Sequence, residues 1–231
     1  TSAGVMPASA ASAAAASAVA SAAQSSTAGA TAVRVAASSA SVVGHPDAGR
    51  LLADVTEVLH AHFWDAKAGA TTEEYKADWQ PLGSYRGQNS NMHLTEALMA
   101  AFEATGERGY LAMAQSIAEL IINRHARAEG WRVAEHFDAG WNVDRAYAGD
   151  PMFRPSGTTP GHALEWSRLL VQLWELGGRA QSWMREAAEA LARVLGDAAI
   201  CGFEVRTLLN QPSYHVNEEI EIFFADRKQD D

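Results

Sequence analysis

A single cysteine, Cys201, in 231 residues excludes an intramolecular disulfide and a cysteine-built zinc site. Such a chain suits a reducing cytoplasm. Cations are also scarce: 18 Lys and Arg stand against 28 Asp and Glu, for a net charge of -10. That balance argues against nucleic acid or an anionic membrane surface as a partner and favours a neutral or small polar ligand. No strongly apolar run reaches the length of about 18 residues that a membrane span needs. The H-E-x-x-H zinc pattern and the G-x-S-x-G nucleophile turn are absent as well.

Residues 1–34 are almost entirely Ala, Ser, Thr, Gly and Val, with no cation before Arg34. A secretory leader needs a basic start and a strongly apolar centre, so no targeting signal is read there. With no large side chains to dock, the segment is expected to be disordered. The chain opens on Thr rather than Met, and a fragment or a misread start is expected.

With 48% apolar residues, the remainder has ample material for a core. From Asp47, the spacing of Leu51, Leu52, Val55, Val58, Leu59 and Phe63 predicts a helix. A polar loop leads to a second helix, with Leu94, Ala97, Leu98, Ala101 and Phe102 on one side. It ends at the "ATGERG" break. Tyr110, Ala114, Ile117 and Ile121 stripe a third, close enough to the second to be its antiparallel neighbour. "WRVAEHFDAGWNVDRAY" alternates and turns at Ala139 and Gly140, as a short hairpin would. After the Pro/Gly loop "DPMFRPSGTTPG", Ala163, Trp166, Leu169, Leu170, Leu173 and Trp174 mark another helix. One more runs from about Ser182 to Leu195. An all-α array of antiparallel helical hairpins, about six helices with one short β-hairpin excursion, is the expected architecture. The expected division is a low-complexity segment at 1–34, a helical domain at 35–198 and a divergent tail at 199–231.

Chemistry concentrates in two H-x-x-E pairs, His93 with Glu96 and His162 with Glu165, each expected in the first turn of its helix. Residues three apart share a helical face, so each pair can present an imidazole beside a carboxylate. A histidine near a helix start is commonly structural, and glutamate there complements the helix dipole. Spacing alone leaves both readings open. Carboxylate-bridged metal bundles use Glu-x-x-His, the reverse order, so no metal is expected. Two opposed carboxylates, such as Glu96 with Glu165 or Asp144, would suit a glycosidase, but nothing in the spacing favours it. Histidine acting as acid and base near neutral pH is the remaining case. His45, His60, His62, His125 and His136 read as structural or solvated, with His136 the nearest to a rim position. Among the tryptophans, Trp141 is the candidate for a rim contact with a ligand.

At "YRGQNSNMHLTEALMAAFEATGE", "GWRVAEHFDAGWNVD" and "TPGHALEWSRLLVQLWEL" the sequence resembles the N-acylglucosamine 2-epimerase superfamily, most closely its bacterial aldose-ketose isomerase branch, the D-mannose isomerases. The resemblance spans about residues 36–198. It implies part of an (α/α)6 toroid whose inner helices and loops surround a sugar pocket, working without a metal or other cofactor. It assigns Asn89 and His93 to holding the open-chain sugar, His162 to ring opening and proton transfer, and Glu165 to the polar contacts around it, with Glu96 beside them. The implied reaction interconverts an aldose and a ketose, mannose and fructose, through a cis-enediol. The resemblance also calls for a sugar-contacting arginine before residue 35 and a second histidine on a late helix, and neither finds a match here; His215 does not align. A non-catalytic remnant that binds or oligomerises is therefore the alternative, and an (α/α) barrel glycosidase a third. The expected partner is a monosaccharide, with no nucleic acid and no membrane; a homo-oligomer is left open.

Overall fold

A computed structural model describes residues 33, 46–76, 78–149, 154 and 156–199. The expected disordered head (apart from Val33, buried in the core) and the divergent tail with Cys201 and His215 lie outside the described residues, as do Arg34 and His45. Five long helices appear among the described residues, not six.

Helix α1, Pro46–Val58, starts on a proline whose fixed φ suits a first helical position and whose missing N–H costs nothing there. It runs on as a wider π-helical turn, Leu59–Phe63. Leu52, Val55, Leu59 and Phe63 are buried on the face their spacing predicts. Strands β1 (Trp64–Asp65) and β2 (Ala70–Thr71) then form a two-residue antiparallel hairpin, where only a polar loop was expected. Its extra anchor is distant in sequence. Asn91 Oδ1 accepts from Thr71 N at 2.8 Å and from Thr71 Oγ1 at 3.1 Å, while its Nδ2 donates to Thr71 O.

Strand β3, Arg86–Gly87, leads directly into α2, Gln88–Thr105. The start at Gln88 puts His93 in the second turn and Glu96 in the third, rather than both in the first. Helix α2 is buried on nearly every side, including Met92, Leu94, Leu98 and Met99, because α3 and α4 cover it from two directions. It stops at Gly106, whose N–H reaches Phe102 O at 2.7 Å. Helix α3, Arg108–Ala118, continues as a π-helical stretch, Glu119–Ala126, and buries Tyr110, Ala114, Ile117 and Ile121 as expected.

The expected hairpin excursion is present, and its first strand pairs with β3 as well. Strand β4, His136–Phe137, lies antiparallel to β3, with Arg86 opposite Phe137 and Gly87 opposite His136. The bridge from Phe137 to Val143 closes the local turn, with Asp144 N donating to His136 O and Asp138 N to Asn142 O, each at 2.9 Å. Helices α4, Pro160–Leu176, and α5, Trp183–Ala199, pack as a second antiparallel pair. Trp166, Leu169, Leu170 and Leu173 are fully buried at this junction. Burying each such side chain contributes about 1.5–3 kcal/mol. The helices form an open array, without a closed ring among the described residues.

Candidate functional site

The β3–β4 pair sets the site because it places Gln88 and Glu135 face to face. Gln88 N donates to Glu135 O at 3.1 Å, and Glu135 N donates to Gly157 O at 3.0 Å. Gly157 has φ of +94°, a conformation a side chain would strain, and its loop feeds α4 and therefore His162. Three separate pieces of chain meet at one carboxylate.

Glu135 was not among the expected site residues. Its Oε1 and Oε2 lie 2.8 and 3.0 Å from His162 Nδ1. Thr159 N donates to Oε1 at 3.0 Å, and Gln88 Nε2 donates to Oε2 at 3.0 Å. Gln88 is itself oriented by Trp166, whose Nε1–H donates to Gln88 Oε1 at 2.8 Å. Burial pushes the Glu135 carboxyl up, but the hydrogen bonds and charge of His162, with the donors from Gln88 and Thr159, hold it below the usual carboxylate value. For His162, burial lowers and Glu135, aided by the charge of Glu165, raises; the net direction is up. Glu135 keeps 4% of its side chain exposed and His162 keeps 26%. The imidazole therefore retains access from solvent while its anchoring carboxylate does not.

Each H-x-x-E motif presents its imidazole and carboxylate on one side, and the ionic contacts between side chains run between elements. Glu165 approaches His93, with Oε1 3.8 Å from Nδ1. Glu96 accepts from Arg168 Nη2 at 2.8 Å. A shared helical face brings these groups to the same side, but α4 lies against α2 and its side chains supply better-placed partners. His93, Glu96 and Glu165 do converge, with one ligand atom from each inside 4.8 Å.

The three amides in "RGQNSNMH" divide their work. Gln88 braces Glu135, Asn91 pins the β1–β2 hairpin, and half-buried Asn89 makes no side-chain hydrogen bond among the described residues. Of the three, Asn89 has donors and an acceptor free for a ligand.

His136, expected nearest the rim, is buried instead, accepting or donating at Nδ1 with Tyr85 Oη at 2.9 Å and stacking on Tyr147 at 3.8 Å. Arg154 lies over the Tyr85 ring at 4.6 Å and pairs with Glu74. Trp141 is also no rim residue: it is 4% exposed, packs on Phe137, and adopts a positive φ of 61° in the turn. The turn folds its indole inward. One signal for Glu135 stood in the sequence, a carboxylate set within the apolar alternation Val133, Ala134, Phe137, all three of them buried.

Residues 11–205 match the N-acylglucosamine 2-epimerase (GlcNAc 2-epimerase) family. The chain belongs to that family. It is 44% identical over 167 residues to a D-mannose isomerase of Pseudomonas cannabina pv. alisalensis, covering 69% of this chain and 40% of that protein. A D-mannose isomerase of Thermobifida fusca is 42% identical over 162 residues, again covering 40% of its length. A crystal structure of D-mannose isomerase superposes with a TM-score of 0.68 at 34% identity, over 74% of this chain and 44% of that one. The cellobiose 2-epimerase of Spirochaeta thermophila shares the fold, with a TM-score of 0.62 at 18% identity. Like these relatives the protein is mostly helical and of the helical toroid class. The chain spans about 40% of the length of the curated relatives it matches. No helix among the described residues is long and apolar enough to cross a membrane.

Proposed function

We propose that this family member acts on a free monosaccharide as an aldose-ketose isomerase, interconverting mannose and fructose by histidine-mediated proton transfer. The observation that carries the reading is His162, a partly exposed imidazole backed at Nδ1 by a buried, ionised carboxylate. With Nδ1 engaged, Nε2 is the nitrogen that takes a proton from C2 of the open-chain aldose. The electrons left on C2 form the C1–C2 double bond of a cis-enediol(ate) as O1 gains a proton; O2 then gives up its hydroxyl proton and becomes the carbonyl while the proton held on Nε2 is returned to C1. Asn89, His93 and Glu165 supply polar contacts that hold the open chain, and no metal or nucleotide is asked for. The lone cysteine fits a cytoplasmic setting.

A non-catalytic role, binding a sugar or associating with other copies, is the second reading. The deciding experiment is incubation of the purified chain with D-mannose and chromatographic detection of fructose, with His162→Ala alongside. Fructose from the parent and about 10²-fold less or none from the variant supports the isomerase, since a positioned acid–base group contributes about 10²–10⁴-fold. No fructose from a folded parent sinks it in favour of the second reading.

A further inference from the structure

We infer that Glu135 and Gln88 are positioning residues that hold His162 in the tautomer protonated at Nδ1, leaving Nε2 as the nitrogen that accepts the substrate proton. The inference deepens the proposed function and rests on the role given there to His162. Two hydrogen-bond arrangements compete at Nδ1. It can donate to Glu135, at 2.8 and 3.0 Å, or accept from Gln88 Nε2, at 2.8 Å. These demand opposite tautomers.

Trp166 narrows the choice. Its indole N–H can only donate, so the Gln88 oxygen faces it and the Gln88 NH2 faces the Glu135–His162 pair. Gln88 can satisfy one of its protons on Glu135 Oε2 at 3.0 Å. A bare Nδ1 would set a lone pair against a carboxylate that is 96% withdrawn from water, since Glu135 is 4% exposed. That repulsion has no solvent to relieve it. Donation from Nδ1 instead gives the carboxylate another hydrogen bond, beside those from Thr159 N and Gln88.

The charged groups facing His162 are Glu135 from the β4 segment and Glu165 from its own helix; Gln88, from the start of α2, and Trp166, from its own helix, are neutral. Glu165 also faces His93 at 3.8 Å. Glu135 is thus the charge in direct contact. Substituting Glu135→Gln removes it and leaves Gln88 free to donate to a bare Nδ1, which moves the remaining proton to Nε2.

The test is a pH titration of the imidazole nitrogens by nitrogen-15 NMR on the full chain, with His162→Asn used to assign the His162 signals. In the parent, neutral His162 is expected in the Nδ1–H form; the Nε2–H form would overturn the inference even if no variant folds. In Glu135→Gln the His162 titration point is expected to fall and the tautomer to shift toward Nε2–H, with Glu135→Asp recovering part of both. Unmoved signals in Glu135→Gln would equally overturn it. Where the chain turns over mannose, Glu135→Gln is expected to lower kcat about a hundredfold with a small change in KM, in the range that loss of such an orienting partner produces. The acid limb of its kcat/KM profile moves to lower pH. Because the NMR readout needs no turnover, a chain showing the expected tautomer but making no fructose would refute the isomerase reading alone.

Discussion

Replacing Gly87 by alanine tests the junction that delivers Gln88 to the site. Gly87 has φ of -117° and ψ of 144°, an extended conformation open to any residue, so the backbone imposes no penalty. The constraint is space. A Cβ at this position would lie 2.7 Å from Glu73 Oε1 and 2.8 Å from Tyr85 Oη. Neither atom is loose: Glu73 Oε1 accepts from Gly87 N at 3.0 Å and from Ser90 Oγ, and Tyr85 Oη is bonded to His136 Nδ1 at 2.9 Å. Overpacking costs about 1–3 kcal/mol, and disturbing a hydrogen bond to a buried charged group about 1.5–3 kcal/mol. The two overlap, because moving Glu73 relieves the clash while weakening the bond, so about 3 kcal/mol is expected. Urea unfolding followed by tryptophan fluorescence reads this as a lower midpoint at unchanged slope. Gly83 is the control, since a Cβ there meets nothing within 4 Å. Gly83→Ala should stay within about 0.5 kcal/mol of the parent. A Gly87→Ala variant as silent as Gly83→Ala would refute the tight junction.

Trp166→Phe should destabilise by about 1–3 kcal/mol through the Gln88 carbonyl it leaves unpaired, beyond the loss of ring volume, and the urea midpoint again measures it. The Glu135–His162 pair predicts a pH window for stability. A lowered Glu135 contributes fully above the unfolded carboxylate value of about 4.3 and loses that contribution as pH falls through its folded value; a raised His162 contributes fully below about 6.5 and loses it as pH rises through its own. The stability advantage of the parent over His162→Gln should therefore peak between those limits, and a flat difference across pH 3 to 9 would contradict the pairing. His93, Glu96 and Glu165 converge, yet Arg168 already occupies Glu96 at 2.8 Å. Fructose formation should then survive dialysis against EDTA, and a loss restored by a divalent ion would reassign the cluster to metal binding.

The helices were legible because their signal is local. Leu52, Val55, Leu59 and Phe63, or Ala163, Trp166, Leu169, Leu170 and Leu173, repeat at a spacing that only a helix turns to one side, and that side is buried. The short strands were not, because their stability comes from elsewhere. Two residue pairs cannot specify β1–β2, and Asn91, twenty positions downstream, completes it. Likewise β4 finds its two-residue partner in β3, far away in sequence, in addition to the bridge across its own turn.

The site follows the same division. Periodicity places His93 and Glu96, or His162 and Glu165, on one side of their helices, and all four do gather where α2 meets α4. What a shared face leaves open is which group across the gap each one meets. That choice depends on how closely two helices approach and on what the intervening loops bring. Here the loop before α4 and the β3–β4 pair insert Glu135 under His162, so Glu165 is left to face His93 and Glu96 to bind Arg168. Glu135 is thus the hydrogen-bonded partner of His162, while Glu165 still acts on that imidazole through its charge. The surroundings of the two histidines differ: His162 is backed by a buried anion at hydrogen-bond distance, whereas His93 faces the partly exposed Glu165 at 3.8 Å. Under the proposed function, the group that takes up and returns a proton sits in the first environment, and the group that steadies a neutral sugar hydroxyl in the second.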